Sequence, residues 1–194
     1  MSQLRMVFDA TSTCLPELRI PAGFRLRCIA DAEVARYSAL RVSVGFTAWN
    51  LQQLLSFRNK VLPEGLLLIE EEASGLFAAS ATAETTDIAA LSELGVIGWV
   101  MTHPDFQGRH LGRAVSVAVM YRLYAAGYRS FSLLTDDFRI AALKTYLALG
   151  WKPWLYEQDM EERWRKIADG LGRDIDRLQA YPAQAEFARR VERR

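Results

Sequence analysis

Cysteine is scarce in this 194-residue chain: Cys14 and Cys28 are the only two, in no metal or redox spacing. A pair of reduced, buried thiols is therefore the expectation, in a reducing compartment such as the cytoplasm. Net charge is nearly absent as well, at +1, so no global field draws the chain to nucleic acid or to anionic lipid. No apolar run reaches the roughly 18 residues that a membrane span requires, and Arg5 and Asp9 interrupt the N-terminal segment, which reads as neither leader nor anchor. Against these absences, an apolar fraction of 51% and a charged fraction of 24% are those of an ordinary globular chain with a sizeable core.

The pattern along the chain divides it into an N-terminal arm (1–23), a main domain (24–156) and a C-terminal helical extension (157–194). "FRLRCIA" alternates apolar with basic residues and predicts a half-exposed strand from Phe24. Asp31 then offers an N-cap for a helix stopping near Gly45. Thr47 caps a second helical segment to Lys60, and Pro63-Glu64-Gly65 marks a turn. "LLLIEEE" and "GLFAASATAET", joined by Ala73-Ser74-Gly75, predict an antiparallel hairpin. "ELGVIGWVMT" is a further strand. A long amphipathic helix follows, with Leu111, Ala114, Val115, Ala118, Val119 and Leu123 on one face and Gly127 at its end. "SFSLLT" is a buried strand, "RIAALKTYLALG" a second amphipathic helix, and "WKPWLYE" a short closing strand. Strand–helix–strand–helix–strand over Leu94–Tyr156 implies a parallel crossover pair beside an antiparallel meander. The fold class is thus α/β with a mixed sheet and helices on both faces.

One stretch carries chemistry. In "WVMTHPDFQGRHLGRAV" a strand hands over to a helix through a loop with Gly108, Gly112, Arg109 and Arg113. The first amides of that helix lack internal partners and lie at the positive end of its dipole. Glycines let the main chain approach a ligand closely. A phosphate or pyrophosphate suits such a loop, although plain turn chemistry explains it equally well. Neither a Walker loop nor a dinucleotide fingerprint is present.

"HPDFQGRHLGRAV" followed by "LLTDDFRIAALKTYLALGWKP" resembles the GNAT acyltransferases, whose phosphate loop reads Q/R-x-x-G-x-G/A and whose later segment reads A-x-x-x-Y-x-x-x-G-F. Gln107 and Gly112 fill two loop positions, with His110 in place of the central glycine; Ala142, Tyr146, Gly150 and Trp151 fill the second segment. The resemblance implies a GNAT-like fold and acetyl-CoA or another acyl-CoA as donor, with its pyrophosphate on the amides of Gln107, Gly108, Arg109, His110, Leu111, Gly112 and Arg113. It also implies that pantetheine pairs with the main chain of Val100, Met101 and Thr102, and that Gly98 marks a bulge. The acceptor is then an amine of a small molecule or peptide, attacking the thioester directly.

Under that resemblance an amide near Met101 polarises the carbonyl and Tyr146 returns a proton to the thiolate; on pattern alone Tyr146 is an ordinary amphipathic helix residue. The general base stays open. Val96, Ile97 and Gly98 stand where relatives often carry a carboxylate, leaving Glu93, Glu84, Asp87, His103 or a water. His110 in a glycine position is expected to keep a negative φ with its ring outward, and Arg139 stands where many relatives have asparagine. Phe46, Trp49 and Phe57 line an acceptor pocket or belong to the core. Trp154, Tyr156 and the C-terminal segment cover the acceptor side, form a homodimer contact, or shield the sheet edge. A non-catalytic acyl-CoA-binding module of the same fold is the alternative to an enzyme.

Overall fold

The computed structural model describes residues 2–86 and 91–182. Asp87, among the candidate bases, lies outside the described residues. The chain divides into two compact units, one built from Leu15–Thr85 and Val96–Gly127, the other from Met1–Cys14, Thr86–Gly95 and Tyr128–Arg194. Among the described residues no helix is long and apolar enough to cross a membrane.

The first of these units holds β2 (Phe24–Cys28), α1 (Val34–Ser43), α2 (Leu51–Arg58), β3 (Val61–Glu71), β4 (Phe77–Glu84), most of β5 (Leu94–Thr102) and α3 (Leu111–Ala125). Its strands run in the order β2-β3-β4-β5, each antiparallel to the next. Strand alternation decides what covers each face. Leu66 and Leu68 of β3 join Tyr37 and Leu40 of α1, Leu54 of α2 and Met101 of β5 in one cluster. Leu67 and Ile69 point the other way and are equally buried. The start of α3 lies on that second face, since a Cβ at Gly112 would meet Thr102 Oγ1, next in line after Met101, at 3.0 Å. Helices therefore cover both faces. The expected one-sided stripe on α3 is too narrow: Ser116, Val117 and Met120 are buried too, because the helix lies across both β3 and β4.

Several boundaries moved. Asn50 caps α2, not Thr47: its side chain accepts from Gln53 N at 2.9 Å while Gln53 answers to Asn50 N, a reciprocal box that Thr47 has no partner to form. Asp31 opens a 3-10 turn ahead of α1 and pairs with Arg58 at 2.7 Å. Pro63-Glu64-Gly65 does not end a strand; it lies inside β3 as an irregularity between Val61 and Leu66, with Glu64 at φ 56. Cys14 and Cys28 are both exposed and unpaired rather than buried.

The other unit holds β1 (Leu4–Asp9), β6 (Ser130–Thr135), α4 (Ile140–Ala148), β7 (Lys152–Leu155), α5 (Met160–Gly170) and β8 (Tyr181–Pro182). Part of the expected arm is thus a strand: β1 pairs antiparallel with β6 on one side and β7 on the other. The crossover β6–α4–β7 leaves two strands running the same way with β1 lodged between them, and β8 adds a short parallel ladder to β7. Phe8 stacks on Phe131 at 5.9 Å and meets Trp151 at 5.8 Å. Of the extension, α5 buries Met160, Trp164, Ile167 and Ala168, one face of a helix that packs on β7. Trp154 is buried with Val7 and Leu94, and Tyr156 packs against the same cluster.

A buried carboxylate ties β2, β3 and α1 together. Glu70, 3% exposed, receives Arg25 at 2.7 Å, Arg27 at 2.8 Å and Arg36 at 2.5 Å. Arg27 and Arg36 also share Glu33, both at 2.7 Å. The Arg27 hydrogen bond, against the opposing effect of burial, takes Glu70 down to about 2, and Arg27 likewise lowers Glu33 to about 2. Because both folded-state values lie below the ordinary 4.5, the stabilisation is complete above that value and is lost as pH falls from 4.5 toward 2. Glu70→Ala should lower the unfolding temperature by roughly 5 °C at neutral pH, since it removes the buried carboxylate on which Arg25, Arg27 and Arg36 converge. Thermal melts should show the gap between wild type and variant closing across that acid window; a constant gap would remove Glu70 from the ledger of pH-sensitive groups.

Candidate active site

The phosphate-loop candidates belong to the unit that contains α3. The strand β5 ends at Thr102, and a 3-10 turn over Pro104–Phe106 follows, its N-cap His103 accepting from Asp105 N at 3.3 Å. Phe106 is the anchor of the turn: it is buried, packs edge-on against Phe24 at 5.8 Å and lies 5.7 Å from His103. Beyond it Gln107, Gly108, Arg109 and His110 are exposed. Gly108 takes φ +76 and His110 takes φ 59, ψ 16 as the N-cap of α3.

The expectation for His110 is corrected here: φ is positive. The loop keeps the left-handed conformation that glycine would supply, and the imidazole pays the steric cost of about 1 kcal/mol, tolerable because histidine enters that region more readily than branched residues. The turn leaves a run of main-chain donors without backbone acceptors. The first hydrogen bond of α3 is Ala114 N to His110 O at 3.0 Å. Among the described residues, the amides from Gly108 to Arg113 donate to no backbone carbonyl. Arg109 lies over Phe106 at 5.2 Å and 3.8 Å from Glu71, so its charge is only partly available.

In β5 the pairing to β4 slips: Thr82 faces Gly98 but Ser80 faces Met101, so β5 carries one extra residue. Trp99 takes φ 47, an outlier for a bulky side chain. This is the bulge expected at Gly98. It swings the Trp99 ring into contact with Phe46 at 5.2 Å, Trp49 at 5.5 Å and Phe57 at 6.0 Å. The three aromatics left open between pocket and core form a half-buried wall on the α1/α2 face. Sequence reasoning missed two members of that wall, Trp99 and Arg41. The Arg41 guanidinium is enclosed 3.6 Å from the Trp49 ring centre and 4.5 Å from that of Trp99. Its Nε donates to Thr47 O at 3.1 Å, its Nη1 has no partner among the described residues, and burial pulls its pKa down. Nothing in "SALRVSVGF" distinguishes it from a surface arginine.

The candidate bases separate. Glu93 is an exposed turn residue. His103 is half-buried and engaged with its own turn. Glu84 is the last residue of β4, not a solvated loop group; it accepts from Thr82 Oγ1, and burial drives its pKa up against the opposing effects of Thr82 and Lys60.

In the other unit, Tyr146 lies on α4, 6% exposed and 6.2 Å from the Trp151 ring. Burial raises its pKa to about 12, with Arg139 opposing. Arg139 is held by Asp136 at 2.9 Å at the start of α4.

No family model matches the sequence. The mycothiol acetyltransferase of Gordonia bronchialis is 30% identical over 159 residues, covering 76% of this chain and 50% of that protein. That of Rhodococcus jostii is 29% identical over 150 residues, 71% of this chain and 48% of that one. The chain thus spans about half the length of the curated relatives it matches. A GCN5-related N-acetyltransferase from Sphaerobacter thermophilus superposes with a TM-score of 0.60 at 21% identity, over 79% of this chain and 49% of that one. The chain has the fold of the GCN5-related N-acetyltransferases.

Replacing His110 by glycine should leave the fold intact and raise stability by about 0.5–1 kcal/mol, whereas His110→Val should cost about 1–2 kcal/mol. Chemical denaturation of the three proteins checks the order; a glycine variant weaker than wild type would mean that the imidazole, and not the left-handed backbone, holds the loop.

Proposed function

We propose that this chain transfers an acetyl or other acyl group from acyl-CoA to an amine of a small molecule or peptide, by direct attack on the thioester. The observation that carries the reading is the set of amides from Gly108 to Arg113 at the start of α3 that donate to no backbone carbonyl among the described residues, shaped by left-handed residues at 108 and 110. A diphosphate is matched there by several N–H donors and by the positive end of a 15-residue helix. Gln107 to Arg113 hold the pyrophosphate in this reading, and the main chain of Val100, Met101 and Thr102 takes the amides of pantetheine. Acyl-CoA supplies the activated thioester; the protein binds, orients and manages protons.

Tyr146 is the proposed proton donor to the departing sulfur. A phenol raised to about 12 remains protonated throughout the physiological range, so it always has the proton to give. An amide of the β5 bulge near Met101 polarises the carbonyl, a role suited to a main-chain donor beside the register shift to β4. The cytoplasm is the compartment that fits two exposed free thiols.

Titration calorimetry with acetyl-CoA and a thiol-release assay on a panel of small and peptide amines test this. Gly112→Asp should weaken acyl-CoA binding at least 10-fold, because it sets a carboxylate beside the phosphates at a position where even a Cβ meets Thr102 Oγ1 at 3.0 Å. Unchanged affinity would refute the placement of the loop. Tyr146→Phe should lower kcat by about 10²-fold with little change in acyl-CoA affinity; full activity would strike Tyr146 from the mechanism. Binding without turnover on any amine would favour the non-catalytic module.

A further inference from the structure

In this chain the strand that leads to the phosphate loop offers no carboxylate: Val96, Ile97 and Gly98 occupy its middle. The adjoining strand supplies one. Glu84 of β4 pairs in register with Val96, and Thr82 pairs with Gly98. The alternation of the strands puts Thr82 and Glu84 on one face with Val96 and Gly98. That face is also the one on which Leu66 and Leu68 meet α1 and α2, because Leu66 pairs with Thr82. The carboxylate leans over Gly98 so closely that a Cβ there would lie 1.8 Å from Glu84 Oε1 and 2.7 Å from its Cδ. Gly98 has no positive φ to account for its glycine. Its missing side chain is instead the seat of the Glu84 carboxylate, one residue before the strained Trp99.

We propose that Glu84 is the general base of the acyl transfer, its carboxylate reaching from β4 into the notch that Gly98 leaves in β5, beside the bulge. The inference rests on the acyl-transfer reading above. In the reaction, an acceptor ammonium gives one proton to Glu84, which passes it to solvent, and the resulting lone pair forms the new C–N bond at the thioester carbon. The C–S bond then breaks. The sulfur takes one proton, the role proposed for Tyr146, and the nitrogen loses its second proton to restore that phenol through solvent. Thr82 Oγ1 fixes one carboxylate oxygen by donating to it. The ionisable groups acting on this carboxylate are Lys60, beyond the end of α2, and Tyr37 on α1. Burial outweighs Lys60, so the carboxyl holds its proton to a higher pH than an exposed glutamate does, which brings it nearer to the working range of a base.

The sign of the pH effect follows: activity requires the deprotonated carboxylate, so kcat/KM falls on the acid side as Glu84 takes up its proton. Glu84→Gln keeps the shape and the Thr82 contact. It should bind acetyl-CoA within about 2-fold of wild type by calorimetry, lose about 10²-fold or more in kcat/KM, and lose the acid limb of the profile. Glu84→Asp should recover part of the rate. The deficit of the glutamine variant should shrink for an amine whose conjugate acid is already deprotonated at the assay pH, a readout that a merely structural role would not move. Gly98→Ala, which displaces the carboxylate without altering it, should lower kcat/KM at least 10-fold while thermal melts confirm folding. In the protein without ligands, ¹³C NMR of the labelled glutamates should show Glu84 titrating above the ordinary carboxylate range. Wild-type kcat/KM and an intact acid limb in Glu84→Gln would overturn the assignment, as would ordinary titration of Glu84. Failure of the wild type to bind acetyl-CoA at all would instead bring down the acyl-transfer reading, and this inference with it.

Discussion

One surplus residue in β5 constrains much of what surrounds it. Between the pairs Thr82–Gly98 and Ser80–Met101 the strand must fit three steps against two, and the excess is absorbed by Trp99 at φ 47. Placing an indole in that conformation costs of order 1–3 kcal/mol and persists only where neighbours over-determine it. Here Phe46, Trp49 and Phe57 crowd the ring from the α1/α2 side. The same slip leaves Gly98 as the last regular residue before the distortion. Strain, aromatic wall and carboxylate notch are thus consequences of one register choice.

The phosphate-loop candidate is built on a comparable compromise. A helix whose first amides found partners inside the protein would be more self-sufficient and would bind nothing. In this chain Phe106 fixes the loop from below while Gly108 and His110 turn it outward through left-handed dihedrals. Gln107 to His110 are exposed, so water can serve the donors there and a loop that is ready for an anion need not be unstable without one.

What the sequence made legible was whatever depends on local period and punctuation. The strand–loop–helix around Gln107–Gly112, the hairpin of β3 and β4, and the stop glycines Gly127 and Gly150 all follow from spacing alone, and the last two take φ +98 and +90. What stayed hidden depends on partners far away in the chain. "LRMVFD" has no local sign that it will lie between β6 and β7, since its partners stand more than 120 residues downstream. Pro63 and Gly65 look like a terminus because their local chemistry is that of a turn, while pairing of the residues after them to β4 carries the strand through. "GLFAASATAET" shows Glu84 only as a residue near the end of a strand, and the register with β5 is what shows that it is enclosed. The sign of φ at His110 is set by the path of the main chain into α3, which overrode the side-chain preference used to judge it.

Arg41 extends the same reasoning to a buried charge. A guanidinium stacked on Trp49 and Trp99, with Nη1 unpartnered among the described residues, is an expensive group to enclose. Its aromatic faces return part of that cost, because an indole offers negative π density where water has been removed. The Thr47 carbonyl returns another part through Nε. Tyr37 and Ser80 lie beside it, each with a hydroxyl that makes no well-formed hydrogen bond. A face with several polar atoms unsatisfied under an aromatic wall is poorly optimised for stability, and sites that must recognise something else commonly are. The charge also acts at a distance on Tyr37, whose own ionisation burial suppresses. The phenol therefore stays neutral, so that no second anion forms close to the carboxylate of Glu84.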